Sequence, residues 1–135
     1  MRRGDRRAQS PPVGQPTARE VATALLGGAV RASTSPDQPA GCLGVQGSLA
    51  AGESGSRARD VLTAWREDGT AHLRQRFQRA VDDGDLRADA DPGVLARYVM
   101  TVANGVAVQA AGGVPRDDLQ AVVDTALRGW PPVGP

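Results

Sequence analysis

The chain has 135 residues, with 16 basic and 15 acidic side chains and a formal net charge of +1, a size at which one domain can bury roughly two-thirds of its unfolded surface. Every basic residue is Arg, which excludes lysine chemistry: no Schiff base, no phosphate loop ending in Gly-Lys, no lysine general base. Cys42 and His72 are the single representatives of their types, so an intrachain disulfide and a metal site built from Cys and His are excluded too.

The apolar residues are mainly Ala, Val and Leu, with no Ile, one Phe and one Tyr. Such a core favours helices, because Ala and Leu are strong helix formers and the β-branched and aromatic variety of a sheet is mostly missing. The absence of Lys and Ile points to a GC-rich bacterial coding sequence. No uninterrupted apolar run approaches the roughly 18 residues that cross a bilayer, and Arg2, Arg3, Arg6 and Arg7 lead into Pro and Gln, unlike a secretion signal. The expectation is a cytoplasmic protein without a membrane partner, and near-neutral charge gives no strong pull toward nucleic acid.

In chain order, residues 1–16 are basic and then rich in Pro, Gly and Gln, a composition expected to stay disordered. Order is expected from Thr17, where Thr17-Ala18-Arg19-Glu20 matches a capping box. Val21, Ala22, Leu25, Leu26, Ala29 and Val30 then recur at helical spacing, predicting a helix to about Ala32. Gly41-Cys42-Leu43-Gly44-Val45-Gln46-Gly47-Ser48-Leu49 is expected as a short, glycine-weakened helix. Its glycine spacing matches no phosphate-binding fingerprint.

A long helix is expected from about Ser56 to Asp83. At 100° per residue, Val61, Leu62, Trp65, Leu73, Phe77 and Ala80 share one face. His72 and Arg76 fall inside the same sector, one turn apart. Either they meet a polar group of a bound ligand, or Arg76 reaches the surface while His72 bonds backbone. Gly69 could kink this helix and open space for a ligand.

Asp91 and Pro92 suit the cap and first position of a helix running to about Ala111. Its polar residues Arg97, Thr101 and Asn104 form one narrow stripe, so the helix must be buried on two sides. Leu95, Tyr98, Val99, Val102 and Val106 make a bulky flank, and Ala96, Met100, Ala103, Ala107, Ala110 and Ala111 a small one. The small flank admits another backbone, expected to be a second copy in a symmetric dimer; the alternative is that the domain's own last helix covers both flanks. Gly112-Gly113 ends this helix. Leu119, Val122, Val123, Ala126, Leu127 and Trp130 form an unbroken stripe on a last helix, which Pro131-Pro132 closes.

The Gly-Cys-Leu segment, Arg79-Ala80 leading to Gly84-Asp85-Leu86, and Asp89-Ala90-Asp91-Pro92 with Leu95-Ala96 occur in a suggestive order. They are followed by Gly105-Val106-Ala107-Val108-Gln109-Ala110, Gly112-Gly113, Leu119-Gln120-Ala121-Val122-Val123 and Trp130-Pro131. Across residues 17–131 the pattern resembles the C-terminal effector-binding and dimerisation domain of TetR/AcrR-type (tetracycline-repressor-like) transcriptional regulators. The resemblance implies an all-α bundle of about five helices and a regulator, not an enzyme, without cofactor or metal.

It further implies a pocket for a small apolar or amphipathic effector, placed near Cys42, Trp65, His72, Leu73, Phe77 and Tyr98. A homodimer face on the last two helices is expected through Ala96, Met100, Ala103, Ala107, Ala110, Val122, Ala126 and Trp130. Family members begin with a helix-turn-helix domain, for which the 16 residues before Thr17 are too few. No direct DNA binding is therefore expected of this chain alone. The alternative role is a stand-alone interaction protein that heterodimerises with full-length regulators.

Overall fold

The computed structural model describes residues 14–37 and 53–132. Among them are four α-helices: α1 (Ala18–Ser33), α2 (Glu53–Asp82), α3 (Pro92–Ala111) and α4 (Arg116–Arg128). The expected short helix at 41–49 lies outside the described residues, as does most of the leader.

α1 and α3 begin where local capping chemistry dictates. At α1 the Thr17 hydroxyl accepts the Glu20 amide at 3.1 Å while the Glu20 carboxylate accepts the Thr17 amide at 2.7 Å, completing the capping box. A third acceptor arrives from the turn after α2, where Asp85 takes the Ala18 amide at 2.6 Å. Such contacts satisfy amides that a helix leaves without internal partners. At α3, Asp91 accepts from both Gly93 and Val94, and Pro92 occupies the first turn without wasting a donor. The end of α3 is a Schellman motif: Gly113, at φ 92°, donates to Ala110, and Val114 donates to Gln109. The φ requires Gly, since a side chain there would strain the backbone.

The core is built around α3. Leu95, Ala96, Val99, Ala103, Val106, Ala107 and Ala110 are all buried on it, which takes more than one flank out of water. α1 packs along α3 through Ala18, Ala22, Leu26 and Val30, and α2 adds Leu73, Phe77 and Ala80. Leu119, Val123 and Leu127 of α4 complete the cluster. By length and composition α3 could cross a bilayer, a property that uninterrupted apolar runs did not reveal. Within the domain 39% of that stretch is buried, which makes it a partly covered core helix.

α2 runs as one helix through Gly69, without a break at the expected kink. Its buried Thr70 donates its hydroxyl to the Arg66 carbonyl at 3.0 Å, so the polar side chain is satisfied by its own helix.

Truncating the fully buried Phe77 to Ala should cost about 3–5 kcal/mol. Val94→Ala, at a position 62% exposed, should stay within about 0.5 kcal/mol. Urea unfolding of both variants checks the assignment, and equal losses would refute this placement of the core.

Candidate effector site and dimer face

The residues expected to line an effector pocket separate into three groups. Leu73 and Phe77 are buried and Tyr98 is half-buried beside them. Trp65 is 61% exposed, and His72 also faces solvent, its Nδ1 2.8 Å from the Asp68 carbonyl of its own helix. Cys42 lies outside the described residues. Arg76 donates to the Pro16 carbonyl at the entrance to α1. Of the two readings of the His72 and Arg76 pair, the surface and backbone one holds.

Trp130 is half-buried at the end of α4. Expected on the dimer face, it packs within the subunit against Phe77, with ring centroids 5.5 Å apart and 51° between planes, and lies 6.4 Å from Tyr98. Tilted pairs at these separations are favourable for aromatic quadrupoles. Phe77, Tyr98 and Trp130 therefore join α2, α3 and the end of α4 in one aromatic cluster. A shallow groove of about 280 Å³ lies elsewhere, between α2 and α3, lined by Glu67, Thr70, Arg74, Asp91, Gly93 and Arg97. Its charged walls do not suit an apolar guest.

In that groove Arg97 grips Glu67 with two bonds, at 2.7 and 3.0 Å. The hydrogen bond from Arg97, assisted by its charge and that of Arg66, holds the Glu67 carboxyl below its usual range despite some desolvation. The Arg97 guanidinium is raised in turn. Bonds to Thr17 lower Glu20 in the same sense. Both acids are exposed, so solvent screens these contacts.

The dimer expectation needs a larger correction. Ala96, Ala103, Ala107 and Ala110 are at most 9% exposed within the single subunit. Small side chains do admit a neighbouring backbone, and within the subunit α1 and α2 both pack along α3 more extensively than α4 does. Met100 and Ala126 are half-buried, and only Val122 of the expected set is fully open, at 55% exposure.

Another apolar strip is left uncovered on the same two helices. On α3, Thr101, Gly105 and Val108 are exposed at spacings of four and three residues, and on α4 Ala121, Val122 and Thr125 are exposed. A Cβ added at Gly105 would meet nothing within 4 Å. The signal for this strip was present in the sequence: Gly105 and Val108 continue the Arg97–Thr101 line on the helix, a line assigned to solvent because its first members are polar.

The arrangement of helices can now be set beside known proteins. The chain matches the tetracyclin repressor-like C-terminal domain over residues 22–116. The chain belongs to that family. It is similar, at 43% identity and a TM-score of 0.80, to the TetR family transcriptional regulator CifR, in a cysteine mutant complexed with a 26-base-pair double-strand operator DNA. A second CifR cysteine mutant with operator DNA is 42% identical, again with a TM-score of 0.80. A Rhodococcus sp. RHA1 protein named as a TetR transcriptional regulator is 41% identical, with a TM-score of 0.70. These likenesses cover 87%, 87% and 85% of this chain but only 62%, 62% and 61% of those proteins, so this TetR-type domain spans less than two-thirds of their length. A search of curated proteins found no match.

Acid should weaken this TetR-type domain in a defined way. Glu20 and Glu67 titrate lower when folded, so their contribution is present above their unfolded value near 4.5 and is lost as pH falls through the folded values. Thermal melts between pH 6 and 3 should show a falling midpoint, with a shallower fall in Glu67→Gln. Identical slopes in that variant would exclude a part for the Arg97 contact.

Proposed function

We propose that this chain is the regulatory domain of a TetR-type transcriptional regulator, binding a small apolar or amphipathic effector and pairing as a homodimer through α3 and α4. The observation that carries the reading is the uncovered strip of Thr101, Gly105, Val108 and Val122. Small and apolar residues exposed on two helices allow close helix packing in a symmetric pair, where each exposed face meets its own copy. The position replaces the buried alanines as the contact face.

Support for an effector comes from α2. Its Trp65 and Val61 are open while Phe77, further along, contacts Trp130, so one helix links an exposed apolar surface to the aromatic cluster. Leu73, Tyr98 and Trp65 are the residues proposed to face the guest, with Cys42 among those yet to be placed. Neighbours in complex with operator DNA support a regulatory role. A net charge of +1 supports no direct DNA contact by these residues by themselves. Soluble regulation of this kind belongs in the cytoplasm.

A catalytic role finds no support in the polar groups. His72 contacts its own helix, Asp85 and Asp91 serve as helix caps, and Asp89 pairs with Arg87 at 2.7 Å. Each acid is accounted for by backbone or an ion pair, without a nucleophile beside it.

Sedimentation velocity tests the central claim. The wild-type chain should run as a dimer at micromolar concentration, and Val108→Asp with Val122→Arg should shift it to monomer while circular dichroism stays unchanged. A wild-type monomer at high concentration, or a double variant that remains dimeric, would overturn the proposed face. For the effector, Trp65→Phe leaves Trp130 as the sole tryptophan; small apolar compounds that bind should alter its emission, and Tyr98→Ala should weaken that response about tenfold.

A further inference from the structure

α1 and α4 are joined by two arginines that act in opposite directions. Arg19, in the first turn of α1, donates to the Leu127 carbonyl in the last turn of α4 at 2.6 Å. Arg116, the first residue of α4, donates from Nε to the Thr34 hydroxyl that follows α1 at 2.8 Å, and from Nη2 to the Arg31 carbonyl at 3.5 Å. Thr34 is held for this purpose, because its own hydroxyl proton goes to the Val30 carbonyl at 2.6 Å. Each helix thus supplies a cation from its beginning to the end of the other.

The chemistry favours both contacts. The last carbonyls of a helix lack internal donors and carry partial negative charge, so a guanidinium is a suitable cap. Leu127 also accepts the Trp130 amide at 3.2 Å, which makes its carbonyl a junction between α4, the aromatic cluster and α1. The 16-residue length of α1 separates the two clamps by roughly 20 Å at about 1.5 Å per residue. Between them, Ala22, Leu26 and Val30 of α1 and Leu119, Val123 and Leu127 of α4 share one buried cluster.

We propose that α1 and α4 open as one cooperative strut, locked at its two ends by reciprocal arginine caps, and that the first half of α2 opens independently of it. α2 makes few contacts with α1, and its Val61 and Trp65 are exposed. With both clamps in place, loss of either leaves the pair aligned by the other; loss of both releases the ends together. Because α4 carries Val122, a displacement at the N-terminal end of α1 would reach the proposed dimer face. That consequence, unlike the strut itself, rests on the dimer reading.

Hydrogen exchange of the full chain tests it. Peptides from α1 and α4 should show the same opening equilibrium, while the first half of α2 should exchange faster. Arg19→Gln and Arg116→Gln should each raise exchange of both helices about 3-fold, as expected for one modest hydrogen bond. One opening that breaks both clamps at once adds their free energies, which gives about 9-fold in both helices for the pair. Thr34→Val should reproduce Arg116→Gln, since it removes the acceptor and keeps the charge. A double variant no faster than either single, a silent Thr34→Val, or unequal opening of α1 and α4 in the wild type would overturn the strut. Sedimentation of the same samples keeps the two readings apart: coupled exchange in a monomer sustains the strut and ends the dimer consequence.

Discussion

The fold depends on burial of one broad face of α3, shared among three neighbouring helices. A helix with Leu95, Val99 and Val106 in the core and Ala96, Ala103, Ala107 and Ala110 buried as well cannot be covered by a single neighbour, because one helix shields only one stripe. α1, α2 and α4 must therefore share it, and each needs only one apolar face to do so. The positions of the remaining helices follow from that demand. With α1 and α4 packed on α3 and tied to each other, the exposed remainder of α3 is confined to the Thr101, Gly105 and Val108 strip and its neighbours.

The helix ends make this packing unambiguous. Asp85 reaches from the turn after α2 to the first amide of α1, and Arg19 reaches from α1 to the end of α4. Three segments far apart in sequence consequently meet at one end of the bundle, beside the aromatic cluster of Phe77, Tyr98 and Trp130. Polar contacts of this kind contribute modest energy each. Their larger effect is on register, since a helix displaced by one turn would forfeit its caps as well as its apolar contacts.

Local features were legible in the sequence. The Thr17 capping box, the Asp91-Pro92 start and the Gly112-Gly113 stop rest on residues within one turn of each other, and all three occur where their chemistry places them. Helical period likewise identifies that a face is buried. It does not say by what, and the alanines of α3 show the cost: their size predicted a close backbone from a second copy, whereas Ala96, Ala103, Ala107 and Ala110 are already buried within the subunit. On α2, Val61 and Trp65 widened the apolar sector beyond the arc that is buried, so that His72 was drawn inside it. The buried arc is centred instead on Thr70, Leu73 and Phe77, and Thr70 escapes detection because its polarity is cancelled by a bond to its own backbone.

A division of labour between small and large residues follows. Alanines along α3 are used where helices of one chain must approach, and large aromatics gather at the end where α2, α3 and α4 converge. Open positions of intermediate size, Val108 and Val122, remain on the outward side. A chain with no further partner has little reason to keep valines there among Thr101, Gly105 and Thr125, because exposed helical positions are better served by straight-chain or charged residues. Charge is in fact abundant nearby, in Asp117, Asp118, Asp124 and Arg128, yet it flanks the strip without interrupting it. Arg19 and Arg116 tie α4 to α1, so the open positions on α4 are connected through these contacts to the rest of the domain.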